Sequence, residues 1–545
     1  MIKLDYSVPK IKVKFTSVEG DTFEVFNDEF GGDVISLTTN KSIDEAAGSF
    51  SLTMVGRDKY DKYFTVINKI KDKTSFFKVF RPTCLVDIYI NDIEVMLGVI
   101  DEVERTCNFR GDKPIRTHTI AGRDLGSLLI EHKIWYDSTL NSGRFYNFGL
   151  TSGILAFGAI GGESPANIIM EAFNKWFVRV INQKIPGLDN DFKFADGQGL
   201  QDKLIAMAED KNSYDVRSDR TVENNDGSTE VEEGDILATV IGPGALSKIT
   251  YGNYYPIQFS IWNYEGDIMN FLKSFVSSPF NEIYVETGGA EVVLGNVKEY
   301  TGGYWNPTSS FSDVSAGNGN EILTSVPSEK RLFKMKTGKA YLVFRPAPYD
   351  DEDVENNIEP KNMESLLSMQ DLIQYDIDDS KIVEKKLKIG RNNIPSFYHT
   401  IPASGLITGD ASRFFVQAEY DEKALRRYGY NPMEVKLDSF NISTKNFKDG
   451  GVQDICTKFQ KKLKSWYRFS DKYIRGTFVI KGDAEIRIGN RLNYKRISGE
   501  IENEDEEGKY YIRGVTHTYS FGEKFETTLT VDRGTSKNIL EKGEN

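Results

Sequence analysis

The sequence predicts an α+β protein that is mainly β, with two β-barrel domains flanking, and interrupted by, α/β insertions. Three observations lead there. Residues 510 to 534, YYIRGVTHTYSFGEKFETTLTVDRG, alternate apolar and polar on both sides of a tight turn. Residues 98 to 123, GVIDEVERTCNFRGDKPIRTHTIAGR, repeat that design near the other end of the chain. Between residues 126 and 365 the alternation gives way to helical spacing and polar loops.

The first 125 residues alternate almost throughout. Ile11, Val13 and Phe15 form one face, and Phe23 with Val25 and Phe50 with Leu52 and Met54 form others. Gly31-Gly32 and Asn91-Asp92 supply turns, and residues 58 to 70 read as a short helix or irregular loop. The span 1–125 is therefore predicted as the first barrel. Span 126–365 is predicted as an α+β middle domain. Leu125, Leu128 and Leu129 begin a helical period, and Ser164-Pro165 is a good helix start. Leu204 to Ala208 suits another helix, as do Trp262, Ile268, Phe271, Leu272 and Phe275. Ile283 and Val285 read as a strand whose partner holds Tyr341 and Val343. Two stretches read as loops: 209–235, acidic and short of large apolar side chains, and 301–320, rich in Gly, Ser and Asn.

After an acidic linker at 351–365, residues 366–411 are predicted to begin the second barrel, with strands around 373–377 and 397–401. Span 412–473 is predicted as a helical insertion. In its helix, Phe459, Leu463, Trp466 and Tyr467 follow core spacing and the lysines face water. Span 474–534 completes the barrel and 535–545 is a polar tail. In the terminal hairpin, Tyr511, Arg513, Val515, His517 and Tyr519 are expected on one face, and Gly522 takes positive φ in the turn. Lys113, Thr117 and Thr119 share their spacing with Lys524, Thr528 and Thr530. An internal duplication explains this; so does the general liking of exposed hairpins for Thr and Lys.

Composition narrows the classes. The 545 residues are 39% hydrophobic, enough for several cores. The net charge of -13 argues against a dedicated nucleic-acid binder, which would show a basic stripe, but not against a channel through which nucleic acid passes. Cys84, Cys107 and Cys456 have no CxxC spacing and read as free thiols of a reducing compartment. The N-terminal MIKLDYSVPKIKVKF has no leader-like apolar core, and GILAFGAIGG is too short and Gly-rich to span a bilayer.

Little catalytic chemistry is legible. His118, His132, His399 and His517 lack metal-ligand spacing, so no metal and no cofactor is expected. IGPGALSK at 241–248 lacks the phosphate-loop pattern, and no GxSxG elbow is present. Glu282 and Glu286 share one strand face, but at ~3.3 Å per residue they stand roughly 13 Å apart, beyond either glycosidase geometry. The chain reads as not an enzyme. Arg426-Arg427 reads as a solvated helix end or a subunit contact.

Four stretches in order resemble the baseplate or tail hub proteins of contractile-tailed phages and phage-derived tailocins, which include the late-control protein D type. They are VISLTTNKSIDEAAGSFSLTM (34–54) with IAGRDLGSLL (120–129); SPFNEIYVETG (278–288) with YLVFRPAPYD (341–350); DEKALRRYGYNPMEV (421–435); and GDAEIRIGNRLNY (482–494) with the terminal hairpin. The resemblance implies two tube-type barrels per chain and a homotrimer whose six barrels form a pseudo-sixfold ring. It implies a structural hub that adapts the sixfold tail tube to the threefold central spike and lines the channel. Implied partners are the tail tube protein, the spike protein, the tape measure protein and baseplate wedge proteins. DNA is cargo only, and no stable membrane binding is implied. The implied location is the baseplate of a virion or tailocin particle assembled in the bacterial host cytoplasm. A baseplate-associated cell-wall hydrolase and a carbohydrate- or receptor-binding β protein are the alternatives.

A lumen that passes DNA should be poor in Lys and Arg. In the terminal hairpin Phe525, Thr527, Leu529 and Val531 suit a core. Glu526, Thr528, Thr530 and Asp532 are thus the candidate face toward the channel or the neighbouring barrel. Arg116, His118 and Ile120 are the expected matching face of the first hairpin.

Overall fold

The structure is a computed structural model. It describes residues 8–16, 22–28, 31–56, 80–82, 84–110, 113–131, 133–134, 219–223, 229–233, 266–267, 269–270, 273, 279, 281–287, 291–296, 332–336, 340–346, 372–390, 394–402, 417–437, 457, 460–461, 463–496 and 506–536. The expectations for 58–70, 153–169, 204–208, 241–248, 301–320 and 351–365, and for Cys456, His132 and Phe459, lie outside these residues.

The first unit holds β1 (Ile11–Thr16), β2 (Thr22–Asp28), β3 (Gly31–Gly32), β4 (Val34–Ser42), β5 (Ser49–Val55), β6 (Leu85–Ile90), β7 (Ile93–Arg110) and β8 (Lys113–Asp124). They pair antiparallel in the order β4-β5-β8-β7-β6-β1-β2-β3. Only Asp33 separates β3 from β4, so the sheet returns towards its own start. The seam is held by a side chain: buried Asn27 accepts from Val34 N at 2.9 Å and donates to Val34 O at 2.6 Å. Inward residues at period two, among them Ile11, Val13, Leu37, Leu52, Met54, Ile88 and Ile120, enclose one apolar core.

The middle region carries α1 (Gly126–Glu131), β9 (Lys133–Ile134), β10 (Asp219–Glu223), β11 (Thr229–Glu233), β12 (Gly266–Asp267), β13 (Asn281–Thr287), β14 (Glu291–Asn296), β15 (Leu332–Lys336) and β16 (Ala340–Pro346). The expected pairing is found: Tyr284 faces Val343 and Glu286 faces Tyr341. One reading is overturned. Within 209–235, β10 and β11 form an antiparallel hairpin that joins β15 and β14 in a four-stranded sheet. β-Branched Thr221, Val222, Thr229 and Val231 favour strands, a preference that the overall acidity of the stretch had hidden.

The second unit holds β17 (Gln374–Asp378), β18 (Ile382–Lys388), β19 (Phe397–Pro402), β20 (Glu419–Tyr420), α2 (Glu422–Tyr428), β21 (Pro432–Leu437), β22 (Ile474–Lys481), β23 (Arg491–Lys495), β24 (Gly508–Ser520) and β25 (Lys524–Ser536). Strand β19, expected to begin the second barrel, pairs instead with β20 and, in parallel, with β21. Helix α2 sits between those partners. Asp421 caps it by accepting from Lys423 N and Ala424 N. The remaining strands run β18-β22-β25-β24-β23-β17 around a second core. Leu463 and Trp466, from the helical turn at 463–467, are buried in that core, which is where their spacing put them.

Five strands of each unit share one order: β4-β5-β8-β7-β6 and β18-β22-β25-β24-β23. Their registers agree at two bulges. A bulge follows Val34 in β4 and Ile382 in β18. A second falls between Ile100 and Glu102 in β7 and between Ile512 and Gly514 in β24. Ile100 N donates to Cys84 O and Ile512 N to Asn490 O, each at 2.9 Å. This register sets Val103 against Val515 and Thr119 against Thr528. The Lys-Thr-Thr spacing that first pointed to duplication is two residues out of step, so that match of letters is not a match of positions. Position six also differs: antiparallel β1 flanks β6, whereas parallel β17 flanks β23.

Candidate functional site

The two units meet along one strand. The first part of β24, Gly508 to Tyr511, pairs with β23 of its own unit. After the bulge at Arg513 the same edge pairs with β4 of the other unit, from Gly514 opposite Ser42 to Ser520 opposite Ser36. The bulge is what allows one strand to serve both neighbours, because the extra residue bends it and turns it out of its first partner's plane. It also takes Arg513 off the Val515 face expected for it; its guanidinium bonds Asp44 instead. Among the described residues the result is one sheet of fourteen strands.

The outward face of this sheet is polar and rich in hydroxyls. One row runs Val479, Thr528, Thr516, Asn40, Ser49. The next runs Lys481, Glu526, Thr518, Thr38, Ser51, Ala121, Glu102. A third runs Ser520, Ser36, Thr53, Thr119, Glu104. Thr516 donates to Asn40 Oδ1 at 2.9 Å, directly across the junction. Such cross-strand pairs stabilise a sheet by a few tenths of a kcal/mol to about 1 kcal/mol each.

All four sequence-selected residues, Glu526, Thr528, Thr530 and Asp532, are on that outward side, while Phe525, Thr527, Leu529 and Val531 are buried. The charges are engaged locally: Glu526 lies 2.7 Å from Lys524 Nζ, and Asp532 lies 3.6 Å from Arg475 Nε. The expected matching face of the first hairpin is corrected. His118 and Ile120 are buried on the core side, in register with Met54 and Leu52. Register makes Thr117, Thr119, Ala121 and Arg123 the equivalents of the four, so Arg123 stands where Asp532 does. Arg123 forms a paired ion contact with Asp101 at 2.6 and 3.0 Å.

Behind the face, the junction is tied to β13 by two carboxylates. Glu286 Oε1 lies 2.6 Å from Lys41 Nζ, and Glu282 accepts the Tyr511 hydroxyl at 2.6 and 2.7 Å. All four side chains are buried. The carboxylates weighed as a hydrolytic pair are thus holding the middle region to β4 and β24. Nearby Asp124, buried and accepting from Gly126 N at 2.9 Å, has its pKa pushed up to about 6, chiefly by burial. His517, on the inward face with Nδ1 3.0 Å from Thr527 Oγ1, is pulled down to about 3, again chiefly by burial. Neither carboxylate tie was foreseeable from sequence separation, although the period-two placement of Glu282 and Glu286 did put them on one side.

Arg426 pairs with Glu422 and Arg427 lies 3.5 Å from Asp471, both arginines mostly exposed, as a solvated helix end would have it. Among the described residues no group of three or more His, Cys, Asp or Glu is placed to hold a metal, and no helix is long and apolar enough to cross a membrane.

No family model and no curated protein matches the chain. Solved structures do match it over nearly its whole length. A 43 kDa tail protein of prophage MuSo2 from Shewanella oneidensis is 10% identical, covering 96% of this chain and 98% of that one, at a TM-score of 0.42. A tail protein from Neisseria meningitidis MC58 is 11% identical over 97% and 98%, at 0.40. The E. coli c3393 protein, described as a component of the type VI secretion system, is 7% identical over 93% and 74%, at 0.35.

Proposed function

We propose that the chain is a structural baseplate hub subunit of a contractile phage tail or tailocin, adapting a sixfold tail tube to a threefold spike and lining the central channel. The observation that carries this reading is the junction itself. Two units of one strand order are fused edge to edge, so three copies supply six similar positions that still alternate around the ring. A tube of six identical subunits can seat on the first property and a threefold spike on the second. In this reading the partners are the tail tube protein, the spike protein, the tape measure protein and wedge proteins.

The hydroxyl-rich outward face is assigned to the channel or to the barrel contact beside it, with Glu526, Thr528, Thr530 and Asp532 in the second unit and Thr117, Thr119, Ala121 and Arg123 in the first. Ser and Thr give such a wall polar groups without the cations that hold phosphate. The role is structural and needs no cofactor. The hydrolase alternative loses its candidate acid pair to Tyr511 and Lys41, and a glycan-binding alternative gains no observation in its favour.

Negative-stain microscopy of the purified protein tests the reading. Closed rings of six lobes with threefold symmetry and a central opening are expected. Monodisperse single chains, or lysis of peptidoglycan that Glu282→Gln abolishes, would refute it.

A further inference from the structure

The junction inside the chain has an unfilled counterpart at its two ends. Strand β7 pairs with β6 only as far as Val99, with Ile100 N reaching Cys84 O. Beyond the bulge at Asp101 no described strand pairs with that edge, and Glu102, Glu104, Asn108 and Phe109 are exposed. In β24 the same stretch, after the same bulge, is where β4 binds. The counterpart of β4 is β18. It pairs with β22 on one side, and no described strand pairs with the other. From Val383 to Gly390 only Leu387 is less than exposed, whereas no residue of β4 is exposed.

We propose that the β7 edge from Glu102 to Phe109 pairs antiparallel with β18 of a second copy of this chain, repeating between copies the β24–β4 junction within each. The hub reading is needed only for closure of the resulting chain of copies into a ring; the strand pairing stands on the repeated geometry.

The register follows from the two bulges. Carrying the β24–β4 pairs over sets Val103 opposite Ile389 of the second copy, Glu104 opposite Lys388, Arg105 opposite Leu387, Thr106 opposite Lys386 and Asn108 opposite Glu384. The chemistry of these pairs was not used to derive them, and it is favourable. Glu104–Lys388 occupies the place of the Thr516–Asn40 hydrogen bond, with an ion pair in its stead. Asn108 can donate its amide to Glu384. Val103 covers Ile389, which is 55% exposed in the single chain. The backbone agrees at the far end. Phe521 N donates to Ile35 O at 2.8 Å, and the equivalent pair is Phe109 N to Val383 O. Phe109 and Val383 are exposed by 80% and 42%, so three of the large apolar side chains left in solvent fall on these two edges. Glu102 and Glu104 on one edge against Lys386 and Lys388 on the other also favour unlike edges over like ones, which gives a head-to-tail contact. A lysine-rich strand such as β18 resists pairing with indiscriminate partners, yet suits an acidic edge.

Cross-linking in the full chain tests the register. In a Cys107→Ser background, Glu104→Cys and Lys388→Cys are made in separate preparations and treated with a short bis-maleimide. A linked dimer is expected only when the two are mixed, and not when Lys388→Cys is replaced by Thr477→Cys, which lies on β22 away from the edge. Independently, Glu104→Lys should weaken self-association at least tenfold in sedimentation velocity, and adding Lys388→Glu should restore most of it. Circular dichroism and the melting temperature identify any variant that has merely failed to fold. Association without the 104–388 link, or a charge reversal that rescues nothing in folded variants, overturns this pairing and leaves the hub reading standing. Link formation in open filaments that never close supports the pairing and overturns the ring. A chain that stays monomeric at every concentration overturns both.

Discussion

Lys41 Nζ and Glu286 Oε1 lie 2.6 Å apart inside the protein, with side chains only 8% and 2% exposed. One is on β4 and the other on β13, so this ion pair joins the first unit to the middle region beside the β24 junction. Removing one partner strands a buried charge. Lys41→Met or Glu286→Leu alone should cost about 3–5 kcal/mol in denaturant unfolding, and the double variant should recover most of it. Equal losses in the single and double variants would show that packing, and not charge, dominates there.

A second prediction concerns pH. His517 has a folded pKa of about 3 against an ordinary 6.5, so the unfolded chain takes the proton first. Its contribution is fully present above pH 6.5 and is lost as pH falls towards 3, at up to ~1.4 kcal/mol per pH unit. Asp124 acts the other way. Its folded pKa of about 6 exceeds the ordinary 3.8, so its contribution is full below 3.8 and is lost as pH rises through 6. Between 3.8 and 6 the two oppose. His517→Gln should therefore gain stability relative to the parent as pH drops below 6.5. A difference between the two proteins that stays constant from pH 7 to 4 would count against the assignment.

The seam of the first unit gives a third. Asn27 satisfies both backbone groups of Val34 and donates to the Tyr519 hydroxyl at 3.0 Å. Asn27→Leu leaves those groups unpaired in an apolar setting, at about 1–3 kcal/mol for each one stranded. Tyr519→Phe removes only the outermost bond and should cost about 1 kcal/mol. Thermal unfolding of both variants checks the ranking, and the reverse order would contradict it.

The face assigned to the channel makes the fourth. Thr528→Lys with Thr530→Lys should give assembled rings an affinity for single- or double-stranded DNA that falls steeply with salt, where the parent shows little. If the doubly substituted rings bind no better than the parent, the face looks elsewhere.

The strands were largely legible because period-two alternation survives wherever one face is buried. Ile11 to Phe15 and Phe525 to Val531 are read directly from their letters. Four things were not. The bulges at Asp101 and Arg513 shift the register by one residue, and no residue type announces them. The likeness of the two units is carried by pairing geometry; the letters that hinted at it, Lys113 and Lys524, are out of step. The candidate face was found in the second unit but misplaced in the first, because Arg116, His118 and Ile120 were chosen without the register that buries His118 and Ile120. The ties from Glu282 to Tyr511 and from Glu286 to Lys41 span over two hundred residues of sequence, a distance at which no local pattern informs.

Fusing two units through β24 and β4 also changes the kinetics of assembly. A junction made during folding loses no translational freedom of separate molecules, and dilution cannot undo it while the chain stays folded. The twin proposed between copies is bimolecular, so its occupancy would rise with protein concentration. Half of the contacts in such an assembly are therefore fixed at an effective concentration set by the connecting chain, and only the other half remain to be found by diffusion. A particle built this way can hold its subunits in reserve as single folded chains and commit them late, when their local concentration at the growing structure becomes high.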